Sequence, residues 1–185
     1  MIKKILRSGD PVLRKLSEPV VKIDNKVLSI IGDLKDTLQI QKDPEGVGLA
    51  APQIGKNIRV FVTSFRGVKR VVINPEILQI SEKTKKPNLG KPLKKPNKKG
   101  GGNLLEGCLS LPNYFGSIKR VSNLKLKYLN EKGEEVIEEF KDFYAQIVMH
   151  EIDHLNGILF LDRLLEQKSS LYKVDGKNWE EIELV

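Results

Sequence analysis

At 185 residues, with 39% apolar and 30% charged content, the chain fits one soluble globular domain with its own core. Nothing in it approaches the roughly 20 apolar residues a helix needs to cross a bilayer, so no membrane partner is expected, and its single cysteine excludes an internal disulfide. The net charge of +8 sits in one segment: residues 83–103 hold eight lysines and no acid, so the rest of the chain balances at 24 basic against 24 acidic residues and its body is not a nucleic-acid binder by charge. A reducing, cytoplasmic location is expected, without a removed leader, because no sustained apolar run follows the basic residues of the start.

In chain order, Asp10-Pro11 reads as a turn or helix start, with Val12, Leu13 and Leu16 suggesting one short helical turn that Pro19 ends. Asp24 is a candidate N-cap for a helix over residues 25–42, where Val27, Leu28, Ile31, Leu34 and Leu38 recur at helical spacing and serve the core. Asp43-Pro44-Glu45-Gly46 breaks it and opens the loop Gly46-Val47-Gly48-Leu49-Ala50-Ala51-Pro52-Gln53. Its glycines let backbone approach a ligand, and the Lys-Ser/Thr ending of a phosphate loop is missing. Gln53 is the one polar side chain there with an obvious use, the alternative being a core amide satisfied by backbone.

Residues 58–65 and 68–73 are β-branched runs joined by Arg66-Gly67, a hairpin that residues 77–80 could extend. Residues 83–103, apolar only at Leu89 and Leu93, read as a mobile insertion. Alternation returns over 118–129 and 134–140, with Asn130-Glu131-Lys132-Gly133 as the turn. Asp142 is placed to cap a helix whose apolar positions Phe143, Ile147 and Val148 precede His150, and Gly157 to end it. A tail from about residue 164 alternates weakly over 179–184 and suggests an edge strand.

The chemistry gathers on that helix. His150 and His154, the only histidines, are four apart and share one face, close enough to bind one divalent metal. Glu151 adjoins that face, near enough to carry protons for a water but not placed as a ligand. For a third ligand, Cys108 in Glu106-Gly107-Cys108-Leu109-Ser110 competes with its ordinary reading as a small buried apolar residue. Cys108, His150 and His154 would leave a fourth position open, the form of a catalytic rather than a structural site.

With the glycine loop, the Glu106-to-Ser110 motif and the His150-to-His154 motif present in that order, the chain resembles the peptide deformylase family from Pro11 to about Arg163. Ser8-Gly9-Asp10-Pro11-Val12-Leu13-Arg14, Ile73-Asn74-Pro75-Glu76 and His154-Leu155-Asn156-Gly157 resemble it too. The resemblance implies an α+β fold in which β-strands surround a central metal-bearing helix. It implies removal of the formyl group from N-terminal formyl-methionine of newly synthesised polypeptides. Glu151 would then move the proton, while the Gln53 amide and the Leu109 N–H would stabilise the charged formyl oxygen. Gly48 would orient the substrate through its backbone, and Val47, Phe143 and Ile147 would line a methionine pocket. The implied cofactor is Fe2+, although Zn2+, Ni2+ and Co2+ suit the same ligands. Glu106 and Arg120 match the family and either brace the cysteine motif or form a surface ion pair. Met149, Gln146 and the 83–103 insertion depart from the pattern. The alternative function is a metallopeptidase using the same two histidines and glutamate. A module that contacts nucleic acid or the ribosome through the lysines is another reading, and ribosome contact could also accompany the enzyme.

Overall fold

The computed structural model describes residues 1–42, 45–81, 105–176 and 178–183. The expected mobile insertion at 83–103 lies outside the described residues. Pro11–Arg14 forms a single 3-10 turn, capped by the Asp10 carboxylate, which accepts from the Val12 N–H at 2.9 Å. Helix α1 (Asn25–Gln39) starts as expected, with Asp24 accepting from the Val27 N–H at 3.0 Å. It stops short of residue 42 because the chain folds back on it. The Gly46 N–H donates to the Gln41 carbonyl at 3.1 Å, and a Cβ on Gly46 would stand 2.8 Å from Leu38 and 2.9 Å from Gln41.

The strands in chain order are β1 (Gly48–Ala50), β2 (Val60–Phe65), β3 (Val68–Ser81), β4 (Leu105–Cys108), β5 (Leu111–Ser117), β6 (Asn123–Leu129), β7 (Glu135–Lys141), β8 (Leu171–Asp175) and β9 (Asn178–Ile182). They form two antiparallel sheets, one ordered β1-β2-β3-β6-β7 and the other β4-β5-β8-β9. The β2–β3 hairpin turns at Arg66-Gly67, both at positive φ, the twist that suits a two-residue loop. Beyond it β3 continues through Ile77 and Ile80, as the apolar run suggested.

The alternation along β2 and β3 fixes the layers. Val60, Val62, Val71 and Ile73 pack toward Ile30, Ile31, Leu34 and Leu38 of α1. Phe61 and Val72, with Leu124, Leu126 and Phe140, face the other way onto Ala145, Val148, Ile152 and Leu155 of α2 (Asp142–Leu155). A third cluster joins Cys108, Ile118 and Leu171 to Phe160 and Leu164 of α3 (Phe160–Glu166). The fold is thus α+β, with strands of both sheets set around α2, the helix that bears the two histidines.

Three local readings change. Asp142 does not cap α2: it is the helix's first residue, at φ 51°, with its N–H on the Ser122 carbonyl at 2.7 Å, because β7 runs into the helix with no linker. Strands β4, β5 and β8 and helix α3 were not anticipated, and the stretch 46–53, expected as a loop, carries β1 and a 3-10 turn. Alternation over 118–129 yields a strand only from Asn123, since Arg120 turns inward to bind acids. In the tail from about residue 164, Leu164 is fully buried in α3, and strand β9 pairs with β8 and sets Trp179 against Phe115.

Candidate metal centre

Helical periodicity places Gln146, His150 and His154 one above another on one stripe of α2, and β4 supplies the facing side. The β4–β5 register shifts between Gly107 and Cys108, an irregularity of the kind that re-aims a side chain. There the buried Cys108 Sγ lies 3.3 Å from His154 Nε2, and one donor atom from each of Cys108, His150 and His154 lies within 4.8 Å of the others. Metal bonds of about 2.3 Å to sulfur and about 2.0 Å to nitrogen put tetrahedral donors roughly 3.5 Å apart, so the three residues fit one ion.

Their electrostatics agree. Burial alone would raise the Cys108 thiol, but the charges of His154 and His150 outweigh it and hold it well below the usual thiol range. Burial would likewise lower His150, but the charge of Cys108 and its hydrogen bonds to Cys108 and Glu106 hold it well above its usual value. The site therefore favours a thiolate with positive charge beside it, which a divalent cation supplies in place of a proton.

Glu106 orients this centre. Its Oε1 accepts from His150 Nδ1 at 2.7 Å and from Arg120 Nη2 at 2.7 Å, while its Oε2 accepts from Arg120 Nε at 3.0 Å and from Gln146 Nε2 at 3.1 Å. With Nδ1 as donor, His150 keeps the Nε2 lone pair for a metal. Burial pushes the Glu106 carboxyl up, yet the Arg120 charge and the His150 hydrogen bond hold it well below the usual carboxylate range. Arg120 also donates to Asp153 Oδ2 at 2.6 Å, and Arg163 grips both oxygens of Asp153. Glu106 and Arg120 are thus a buried brace, each side chain 6% exposed, and not a surface pair.

Glu151 faces β1. It is 3% exposed, and a Cβ on Gly48 would stand 2.2 Å from its Oε1, so only glycine leaves room for the carboxylate. Burial pushes its carboxyl up to about 7, against the lowering influence of both histidines, and Oε2 has no hydrogen-bond partner among the described residues. Gln53 is buried with its orientation set: Oε1 accepts from the Ala50 N–H at 2.9 Å, which turns Nε2 toward Ser110 Oγ at 3.2 Å and Cys108 Sγ at 3.7 Å. Leu109 follows Cys108 directly, and its carbonyl accepts from Arg7 Nη1 at 3.5 Å.

Glu151, with Gly48 against it, adjoins His150 on α2, Gln53 reaches Cys108, and Leu109 follows Cys108 in sequence. The Val47 carbonyl accepts from the Ser64 N–H, and the neighbouring Phe65 ring packs edge-on to Phe143 at 5.2 Å. Gln146, Ser110 and Asp153 were not assigned roles in advance. The signal for Gln146 was its position four residues before His150, on the same face.

The family model described as polypeptide deformylase matches residues 2–170. A peptide deformylase of Pseudothermotoga lettingae is 43% identical over 162 residues, covering 88% of this chain and 82% of that protein. Peptide deformylase 1 of Clostridium acetobutylicum is 40% identical over 169 residues, covering 91% and 99%. Among solved structures, peptide deformylase from Thermotoga maritima superposes with a TM-score of 0.74 at 39% identity, covering 88% of this chain and 97% of that one. A class I type b peptide deformylase from Acinetobacter baumannii, bound to Met-Ala-Ser, superposes at 0.72 with 32% identity, covering 88% and 98%.

Proposed function

The chain belongs to the polypeptide deformylase family, and from that premise and the site's geometry we propose how its residues divide the work of removing a formyl group. It is a metal-dependent hydrolase of N-formylmethionyl peptides. The metallopeptidase alternative finds no support in these relatives. The observation that carries the reading is the meeting of Cys108, His150 and His154 beside a buried Glu151 carboxylate packed on Gly48.

Cys108 Sγ and a ring nitrogen of each histidine would hold the ion, for which we propose Fe2+. Bound there, it would acidify a water and polarise the formyl oxygen. Glu151 accepts the water proton on its carboxylate and returns it to the departing amine. Its carboxylate is buried against Gly48 with Oε2 unpartnered among the described residues, which leaves that oxygen available for the proton. Gln53 offers an N–H from Nε2 to the charged formyl oxygen, its amide held by the Ala50 N–H. The Leu109 backbone N–H is the second donor, and each is worth on the order of 3 kcal/mol in barrier height. Gly48 orients the peptide through its backbone while its missing side chain leaves Glu151 its place. Val47, Phe143 and Ile147 receive the methionine side chain. The Met-Ala-Ser held by the Acinetobacter baumannii relative supports a peptide with methionine first.

We place the enzyme in the cytoplasm, where the Cys108 thiolate stays reduced. Among the described residues no helix is long and apolar enough to cross a membrane. The eight lysines of 83–103 suit a transient contact with the anionic ribosome, from which formylated chains emerge. Replacing that segment by a short Gly-Ser turn should slow deformylation of ribosome-bound nascent chains at low salt and leave free peptide unaffected.

The test of the reaction is a pair of peptides. Formyl-Met-Ala-Ser should release formate and leave Met-Ala-Ser intact, and unformylated Met-Ala-Ser should not react. Release of a dipeptide from either would favour a peptidase.

A further inference from the structure

A cavity of about 270 Å³ opens beside the metal centre, and Cys108 and Leu109 belong to its lining. One wall is the N-terminal segment, fixed along the cysteine motif by Leu6 N–H to the Gln53 carbonyl at 2.8 Å and Ser8 N–H to the Ser110 carbonyl at 3.0 Å. That wall contributes Lys3, Lys4 and Arg7, while β5 contributes Leu111, Tyr114 and Phe115. Among the described residues no acidic one lines the cavity. Lys3 is partly neutralised, with its Nζ 3.3 Å from Asp33. Lys4 and Arg7 are exposed and form no ion pair with an acid among the described residues. Two cations without an acidic partner among the described residues therefore stand over this wall, Arg7 with a contact at 3.5 Å to the carbonyl of Leu109, the residue after Cys108.

We infer that this cavity receives the substrate chain beyond its first residue and selects acidic side chains there, through Lys4 and Arg7. The inference rests on the deformylase reading and adds a sequence preference to it. The formyl carbon must lie at the metal centre, and the methionine side chain is directed toward Val47, Phe143 and Ile147 on the β1 and α2 side. The following residues leave by another way, and an extended chain advances about 3.3 Å per residue, so the second and third residues fall within one or two side-chain lengths of the centre. A cavity near 300 Å³, the lower end for ligand pockets, suits a short stretch of peptide and not a large ligand. Leu111 and Phe115 cover the apolar parts of those side chains, and the cations at the rim meet their carboxylates. Because the cations are exposed, each pairing should change kcat/KM by about two- to five-fold at low ionic strength and fade as salt is added.

The test uses the metal-loaded full chain and three C-terminally amidated peptides, formyl-Met-Ala-Glu, formyl-Met-Ala-Gln and formyl-Met-Ala-Lys, at low and high salt. The expected order of kcat/KM is Glu above Gln above Lys at low salt, converging at high salt. In the double variant Lys4→Glu, Arg7→Glu the order should invert. The readout is a ratio within one protein, so a general loss of activity in the variant cancels. Equal rates for the three peptides at low salt, or an order unchanged by the charge reversal, would overturn the preference while leaving the deformylase reading intact. Failure to deformylate any of them would overturn that reading, and the preference with it.

Discussion

Glu106 Oε1 lies 2.7 Å from Nδ1 of His150, so the residue two places before the cysteine ligand sets the ring of the first histidine ligand. One short strand, β4, thereby supplies both a metal donor and the group that aims another. The buried Arg120 and Gln146 fill the remaining acceptor sites of the carboxylate.

Glu106→Ala should accordingly weaken metal binding by about ten- to a hundred-fold, the usual cost of removing a partner that orients a ligating histidine. Chelator competition measures it. Affinity equal to that of the parent would show that His150 needs no such partner.

Gly48→Ala should place a methyl where Glu151 Oε1 stands, at 2.2 Å. β1 is held in register against β2, Gly48 opposite Thr63, so the carboxylate has to move. A displacement on the order of 1 Å can cost about a hundredfold, and kcat should fall by that order with metal content unchanged. A kcat within twofold of the parent would remove Glu151 from its assigned position.

The local parts of this site were legible because their physics is local. Two histidines four apart share a helix face whatever the fold, and one thiol in the chain left few other candidates for a third ligand. The strands carrying Cys108 were not legible, because Gly107, Pro112 and Gly116 read as breakers. In the fold those glycines answer to packing: a Cβ on Gly107 would meet the Phe115 ring at 2.8 Å, and one on Gly116 would meet Leu164 at 2.6 Å. Asp142 misled for a similar reason. Aspartate is a good capping residue in general, but β7 runs straight into the helix and Asp142 sits at a positive φ that no local rule announces. The partnership of Arg120 with Asp153, 33 residues away, depends on the completed fold, whereas its pairing with Glu106 could be anticipated.

Gly157 ends α2 at φ 71°, and a Cβ there would stand 2.5 Å from the Arg14 carbonyl oxygen. Gly157→Ala combines the left-handed penalty with a clash against backbone. A loss of about 2 kcal/mol is expected, lowering Tm by roughly 4–8 °C in a thermal unfolding scan. A Tm equal to that of the parent would contradict both the left-handed strain and the clash, since a yielding 3-10 turn at Pro11–Arg14 would relieve only the second.

Cys108→Ser exchanges a thiolate for a poor alkoxide donor. Metal content and deformylation should fall together, and added metal should restore neither fully. A purified variant that keeps both would place the third ligand elsewhere.

The central claim is that the ion is held by Cys108, His150 and His154 while Glu151 moves the proton, and Glu151→Gln separates the two. The amide fills the same space against Gly48 but cannot carry a proton. The direct measurement is metal per chain and kcat on formyl-Met-Ala-Ser for the same anaerobic preparation. The predicted result is full metal occupancy with kcat reduced by about a hundred- to ten-thousand-fold. Full occupancy with kcat within twofold of the parent would contradict it.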